Sequence, residues 1–260
     1  MPTQAQKDQI LNHLRDYKKR YLTKKYSDLD ESATRLMINS FLTEVLGYTE
    51  LDEIKTEYLI NSTYADYIIQ LARKKHMVVE VKAIQIDLSE KHIRQAVNYA
   101  ANEGIDWVLL TNGRQFELYK VIFKKPIVQK RIFSFSLTDK DHLKTSVEYF
   151  ALMTKKAMAK NELDKFWLRF QALEPNNLCK SLYSNEVLKL LRKALKKNAG
   201  LSFSEEDIFE SIHQIIINKI PVEKPNAPTV LIKQKKRNKP ITDEKIVESA
   251  QNTQTILQNN

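Results

Sequence analysis

The chain is poor in glycine. Only Gly47, Gly104, Gly113 and Gly200 occur in 260 residues, too few and too scattered for a glycine-rich phosphate loop. No G-x-x-x-x-G-K-[ST] is present, which excludes a P-loop ATP motor. A single cysteine, Cys179, rules out an intramolecular disulfide and a cysteine-based zinc cluster. The five histidines show neither H-x-H nor H-E-x-x-H spacing. No apolar run approaches the roughly 20 residues of a membrane span, and "MPTQAQKDQILNHLRDYKK" is too polar for a signal peptide. The expectation is a cytoplasmic protein.

What remains is 42% hydrophobic and 28% charged residues, a globular composition. The net charge of +10 favours a polyanionic partner without identifying one.

Periodicity divides the chain. Residues 5–26 predict a helix through Ile10, Leu11, Leu14 and Tyr17. "DLDESATRLMINSFLTEVLGY" predicts a second, capped by Asp28 or Asp30 and ended by Gly47, with Leu36, Met37, Phe41, Leu42 and Val45 as its apolar stripe. Strands follow in "EYLI", "YADYIIQL" and, after a polar turn "ARKK", in "HMVVEVKA". "IDLSEKHIRQAVNYAANEG" is the next helix; "DWVLL", "QFELYKVIF" and "IVQKRIFSFSL" are further strands. One strand–helix–strand crossover links Val78 to Leu110, so the fold class is α/β around a mixed sheet.

The expected organisation is a domain over 1–138, a helical region over 139–220, and a basic, mostly disordered tail over 221–260 containing "KQKKRNKP". In the helical region Phe166, Trp167 and Phe170 read as core. "DYKKRYLTKKY" (Asp16–Tyr26) reads as a solvated helix face rather than a phosphate-tracking surface.

The chemistry concentrates in "HMVVEVKA". Strand residues alternate faces, so Glu80 and Lys82 point together while Val79, Val81 and Ala83 point the other way. A hairpin around Ala72–Lys75 sets Asp66 opposite or diagonal to Glu80, within roughly 5 Å at Cβ. Two carboxylates so placed repel, and one tends to keep its proton. A divalent cation removes the conflict, since Mg²⁺ uses one or two carboxylates plus phosphate oxygens. Lys82 can then orient the attacking water or neutralise the phosphate. Without a ligand the same residues are a salt-bridged edge strand. The tripeptide [DE]-x-K alone says little, for it recurs at Asp16, Glu53 and Asp243; only the Glu80 copy lies in an apolar strand. Gln95 and Tyr99, four apart, share a helix face.

In this order, Asp66, Glu80-Val81-Lys82, Gln95-Ala96-Val97-Asn98-Tyr99 and "WVLLTNGRQFELY" resemble the N-terminal nuclease domain of type I restriction enzyme R subunits, in the PD-(D/E)XK superfamily. The resemblance covers about residues 28–122. It implies a restriction-endonuclease-like αβββαβ core and Mg²⁺-dependent hydrolysis of DNA, with Mn²⁺ a possible substitute. It also implies Asp66 and Glu80 as metal ligands, Lys82 as the catalytic lysine, and Gln95 and Tyr99 as supporting or DNA-contacting residues. Glu31 matches an acidic residue that often joins the metal site, although an ion pair with Arg35 would explain it equally. Glu57 is a weaker acidic candidate, better read as an edge-strand residue.

Two departures stand out. Ala65 occupies the usual proline position, and the helicase motor of R subunits has no counterpart here. A stand-alone nuclease is expected, or one that works as a homo-oligomer or with other restriction or defence subunits. The alternative is a nuclease-fold protein that binds DNA or a partner without cutting.

Overall fold

The computed structural model describes residues 2–60 and 63–218. Its elements are α1 (Gln4–Tyr21), α2 (Glu31–Ser40), β1 (Ile54–Ile60), β2 (Thr63–Leu71), β3 (Lys74–Val81), α3 (Glu90–Asn102), β4 (Trp107–Thr111), β5 (Gln115–Ile122) and β6 (Val128–Ser136). The helices α4 (Lys140–Met153), α5 (Lys155–Ala159), α6 (Glu162–Ala172), α7 (Pro175–Leu182), α8 (Asn185–Ala199) and α9 (Glu205–Asn218) follow. The run from α2 to β4 is αβββαβ. The expected tail over 221–260 lies outside the described residues.

All six strands form one sheet in sequence order, β1-β2-β3-β4-β5-β6. Every pairing is antiparallel except β3 with β4. That parallel pair needs a crossover, and α3 supplies it.

The two faces have separate cores. Val79 and Val81 of β3, with Tyr67, Ile69, Leu109, Phe116 and Leu118, pack toward Leu14 and Tyr17 of α1 and Met37 of α2. Val78, Ile68, Val108 and Leu110 pack under Ile93, Ala96, Val97 and Ala100 of α3. The alternation Val78, Val79, Glu80, Val81 therefore turns Glu80 toward the α3 side.

Local chemistry sets the ends of the helices. Asp30 caps α2, its side chain accepting from Ala33 N at 2.7 Å. The helix then continues as a π turn, Phe41–Val45. Met37, Phe41, Leu42 and Val45 are buried, but Leu36 is 74% exposed. The stripe placed Leu36 inward; the helix turns it to solvent because Met37 and Phe41 already fill the arc facing the sheet. Ser89 is the N-cap of α3 without a side-chain capping bond.

Between β4 and β5 the "TNG" turn is tightly built. Asn112 Oδ1 accepts from Gln115 N at 2.7 Å, and its Nδ2 donates to Ile86 O at 2.8 Å. Gly113 has φ +83°, and an added Cβ would stand 1.8 Å from Met37 Cε. Only glycine fits.

The first compact unit runs Met1–Asn177 and a second begins at Leu178. The first thus extends past 138, because Val147, Phe150, Leu163 and Trp167 join the core of the sheet. Phe150 meets Phe41 and Phe116 with ring centroids 5.1 and 5.3 Å apart. As expected, Trp167 is buried, with Phe166 and Phe170 partly so. The helix expected across "DHLKTSVEYFALMTKKAMAK" breaks at Thr154, which is extended and caps α5 through Ala157 N. In the second unit Arg192 pairs with Glu205 at 3.2 Å, and Ser204 caps α9 by accepting from Asp207 N at 3.0 Å.

Candidate active site

The β2–β3 hairpin turns on two residues, Ala72 and Arg73, with φ of +46° and +66°. Two consecutive positive φ values mark a type I′ turn, whose twist matches the strands it joins. Lys74 and Lys75, expected in the turn, lie in β3 instead.

From this turn the pairing runs Leu71↔Lys74 and Gln70↔Lys75, then jumps to Ile69↔Met77, Ile68↔Val78 and Tyr67↔Val79. His76 is the extra residue of a β-bulge. Continued by one step beyond Tyr67↔Val79, the register brings Asp66 across from Glu80. Without the bulge Asp66 would face Val79, and Glu80 would be out of step with it.

Asp66 Oδ2 accepts from Val81 N at 2.7 Å. Its Oδ1 takes Arg35 Nη1 at 3.2 Å. Arg35 is set by α2, whose Arg35 carbonyl accepts from the Tyr67 hydroxyl at 2.6 Å. Lys82 falls one residue beyond β3, where it was expected inside the strand, but its backbone continues the ladder by donating to Thr111 O at 2.9 Å. Its Nζ lies 2.8 Å from Glu80 Oε1 and 3.4 Å from Glu31 Oε2. Asp66, Glu80, Lys82 and Glu31 thus meet at one end of the sheet.

Glu80 is 1% exposed. Its Oε2 is buried and has no hydrogen-bond partner. Among the described residues only one other side-chain nitrogen or oxygen shares that condition, His92 Nδ1. Burial and the Asp66 charge push the Glu80 carboxyl up to about 7, against the pull of Lys82. Burial also raises Asp66, with Glu31 adding to it, while Val81 N–H, Lys82 and Arg35 hold it back. Burial works against the Lys82 ammonium, yet Glu80, Glu31 and Asp66 together keep its pKa above the ordinary lysine value. At neutral pH Lys82 is a charge, not a base.

Gln95 Nε2 donates to the Tyr99 hydroxyl at 2.9 Å. Tyr99 is buried in the core under α3, while Gln95 is exposed. The pair shares a face as expected, and the hydrogen bond described for each is to the other. The side chain of Glu57, in β1, lies outside the described ones.

Among the described residues no three His, Cys, Asp or Glu side chains form a ready-made cation cluster. The donor set that does converge is two buried carboxylates, Asp66 with a hydrogen bond on each oxygen and Glu80 with one oxygen orphaned. An orphaned buried carboxylate oxygen costs about 1–3 kcal/mol or more. Hard oxygen donors of this kind fit Mg²⁺ or Mn²⁺.

Two residues escaped the sequence reading. Arg35 was weighed only as a partner of Glu31, and it reaches Asp66 across 31 positions, which no local rule indicates. His92 was overlooked, although it stands at i, i+3 and i+7 with Gln95 and Tyr99 on α3, a spacing that could have found it.

No helix among the described residues is long and apolar enough to cross a membrane. The comparison with curated proteins returns no match. Among solved structures the chain is similar to one titled "cryoEM structure DrdV-DNA complex", at 14% identity and a TM-score of 0.35. That likeness covers 83% of this chain and 21% of the other, so this chain spans about a fifth of it. Residues 30–130 match the family described as type I restriction enzyme R protein N terminus. That matched stretch holds Glu31, Asp66, Glu80, Lys82, Gln95 and Tyr99.

Proposed function

We propose that this chain is a divalent-metal-dependent endonuclease that hydrolyses DNA phosphodiester bonds in restriction or phage defence. The observation that carries the reading is the buried, unpartnered Glu80 Oε2 beside Asp66 and Lys82. No described residue repays that oxygen for its lost water, so a cation is the natural partner.

Asp66 and Glu80 would hold the ion. Mg²⁺ in this place supplies a Lewis acid that polarises the phosphate and favours ionisation of water. The remaining work falls to the protein. Val81 N–H and Arg35 orient the Asp66 carboxylate. Lys82, held protonated by Glu80 and Glu31, offers a fixed positive charge to the phosphate as its negative charge grows. Gln95 and Tyr99 brace one another on α3 and support the site. The net charge of +10 suits a DNA backbone.

The test is incubation of plasmid and linear DNA with Mg²⁺ or Mn²⁺. Cleavage is expected, and it disappears in Lys82→Ala and in Asp66→Ala. Cleavage that persists in either variant overturns the assignment.

A second reading is favoured by the closed pairs Arg35–Asp66 and Lys82–Glu80. They let the site stand without metal, as a nuclease fold that binds DNA or a partner and does not cut. Calorimetry separates the two: DNA affinity with no Mg²⁺ or Mn²⁺ binding selects the second. Light scattering decides whether the chain works as a homo-oligomer, and co-purification with restriction subunits decides the rest.

A further inference from the structure

The two orphaned buried atoms, Glu80 Oε2 and His92 Nδ1, belong to one neighbourhood. His92 is in the first turn of α3, the helix that packs on β3, and Lys82 directly follows β3. The charges of Lys82 and Glu31 both act on its ring. Both lack the partner that buried polar atoms nearly always find.

The tautomer follows from the burial. A neutral imidazole carries one proton. A buried N–H with no acceptor is costlier than a buried bare nitrogen, because C=O and ring acceptors tolerate under-satisfaction better than donors do. Nδ1 has no partner, so the proton belongs on Nε2. The side chain is partly exposed, which leaves Nε2 as the atom toward solvent. Burial, Lys82 and Lys91 all lower the pKa of the ring, in keeping with a neutral group. His92 is thus a neutral N–H donor in the field of Lys82, Lys91 and Glu31, with no acceptor among the described residues.

We propose that His92 contacts the DNA substrate, donating from Nε2 to a backbone phosphate oxygen at the mouth of the Asp66–Glu80–Lys82 site. The inference rests on the nuclease reading and adds a substrate contact to it. A phosphate oxygen is the acceptor the neighbourhood selects, since the charges of Lys82 and Lys91 outweigh that of Glu31 at the ring. The contact serves binding and positioning, with no proton transferred.

The experiment compares wild type with His92→Ala, His92→Gln and His92→Asn. Affinity for a duplex DNA is measured with Ca²⁺ in place of Mg²⁺, cleavage with Mg²⁺, and Mg²⁺ binding by calorimetry without DNA. Glutamine places an amide N–H near the Nε2 position, whereas asparagine reaches only as far as Nδ1. Expected for His92→Ala is about a tenfold loss of DNA affinity and a matching rise in KM, as for one hydrogen bond to a charged group. Mg²⁺ binding stays unchanged, and His92→Gln restores most of the affinity while His92→Asn does not. DNA affinity in His92→Ala equal to wild type overturns the proposal. So does equal impairment of the glutamine and asparagine variants, which would mark a packing role and which decides the matter even if the alanine variant fails to fold. Wild-type protein that neither binds nor cuts DNA overturns the nuclease reading and this contact together. Binding without cutting overturns only the former.

Discussion

Two lysines sit among carboxylates at this sheet, Lys120 buried and Lys82 half-buried, and their surroundings differ. Lys120 Nζ is 2.8 Å from Asp106 and 3.8 Å from Asp164, and it sits 4.5 Å from the Trp107 ring centroid. Asp164 also accepts from Trp107 Nε1 at 2.9 Å. Both of these aspartates keep more than two fifths of their side-chain surface in water. Lys82 is somewhat more exposed than Lys120, but its close partner Glu80 keeps only 2%. Around Lys120 water completes what the protein leaves unfinished. Around Lys82 water is shut out and an oxygen stays orphaned. Charge clusters of like composition thus separate into a tie that fastens α6 to the strands and a cluster that leaves a buried carboxylate oxygen without a partner.

The largest expected contrast is in cleavage. Lys82→Ala should lower it by at least about 100-fold, the scale for removing one preorganised electrostatic contact. Lys120→Met should leave cleavage unaltered and lower stability by about 1–3 kcal/mol through lost pairing and ring contact. Plasmid nicking and thermal melts on both variants check this; equal loss of cleavage would erase the distinction.

Stability should respond unequally at the acidic residues. Glu80→Gln removes a buried charge and should stabilise the metal-free protein by about 1–3 kcal/mol at pH 8, while abolishing Mg²⁺ binding. Asp106→Asn touches a solvated pair and should shift stability by less than about 1 kcal/mol. Denaturant titrations decide between them.

The pH dependence sharpens the same point. The Glu80 carboxyl is raised from 4.5 to about 7 in the folded chain. Folding therefore favours its protonated form, so the metal-free protein loses stability as pH rises from about 4.5 to about 7, by on the order of 3 kcal/mol. Above that window the loss is complete. Saturating Mg²⁺ should flatten the slope, and Glu80→Gln should remove its Glu80 component. A metal-free stability with the same slope through this window in wild type and in Glu80→Gln would show that Glu80 titrates normally.

The smallest effect is expected at Tyr99→Phe, which deletes the hydrogen bond from Gln95 and leaves the ring in the core. About 1 kcal/mol of stability is at stake, readable as a shift in denaturation midpoint.

Much of this site was legible because strands repeat every two residues. "HMVVEVKA" puts Glu80 and Lys82 on one side whatever the neighbours do, and "YADYIIQL" offers Asp66 in a second apolar strand. Helix spacing likewise paired Gln95 with Tyr99, though the same spacing also held His92. Other contacts were illegible. Leu36 fits the apolar pattern of α2 and still faces solvent, because the pattern cannot say how wide an arc the sheet covers. Arg35 looked like a local partner for Glu31, and only the docking of α2 beside β2 carries it to Asp66. The reach of the first compact unit past residue 138 depends on Phe150 and Trp167 joining a core that no change of periodicity marks.

By itself the sequence determined the strand faces, the order of the elements and the chemistry available at Asp66, Glu80 and Lys82, all of which follow from local periodicity and side-chain type. The tertiary structure decided which of these charges meet. The two-residue turn at Ala72–Arg73 and the bulge at His76 bring Asp66 across from Glu80. A register without that extra residue would send one of the two to the other face, since side chains alternate with a period of two and any single-residue slip inverts them.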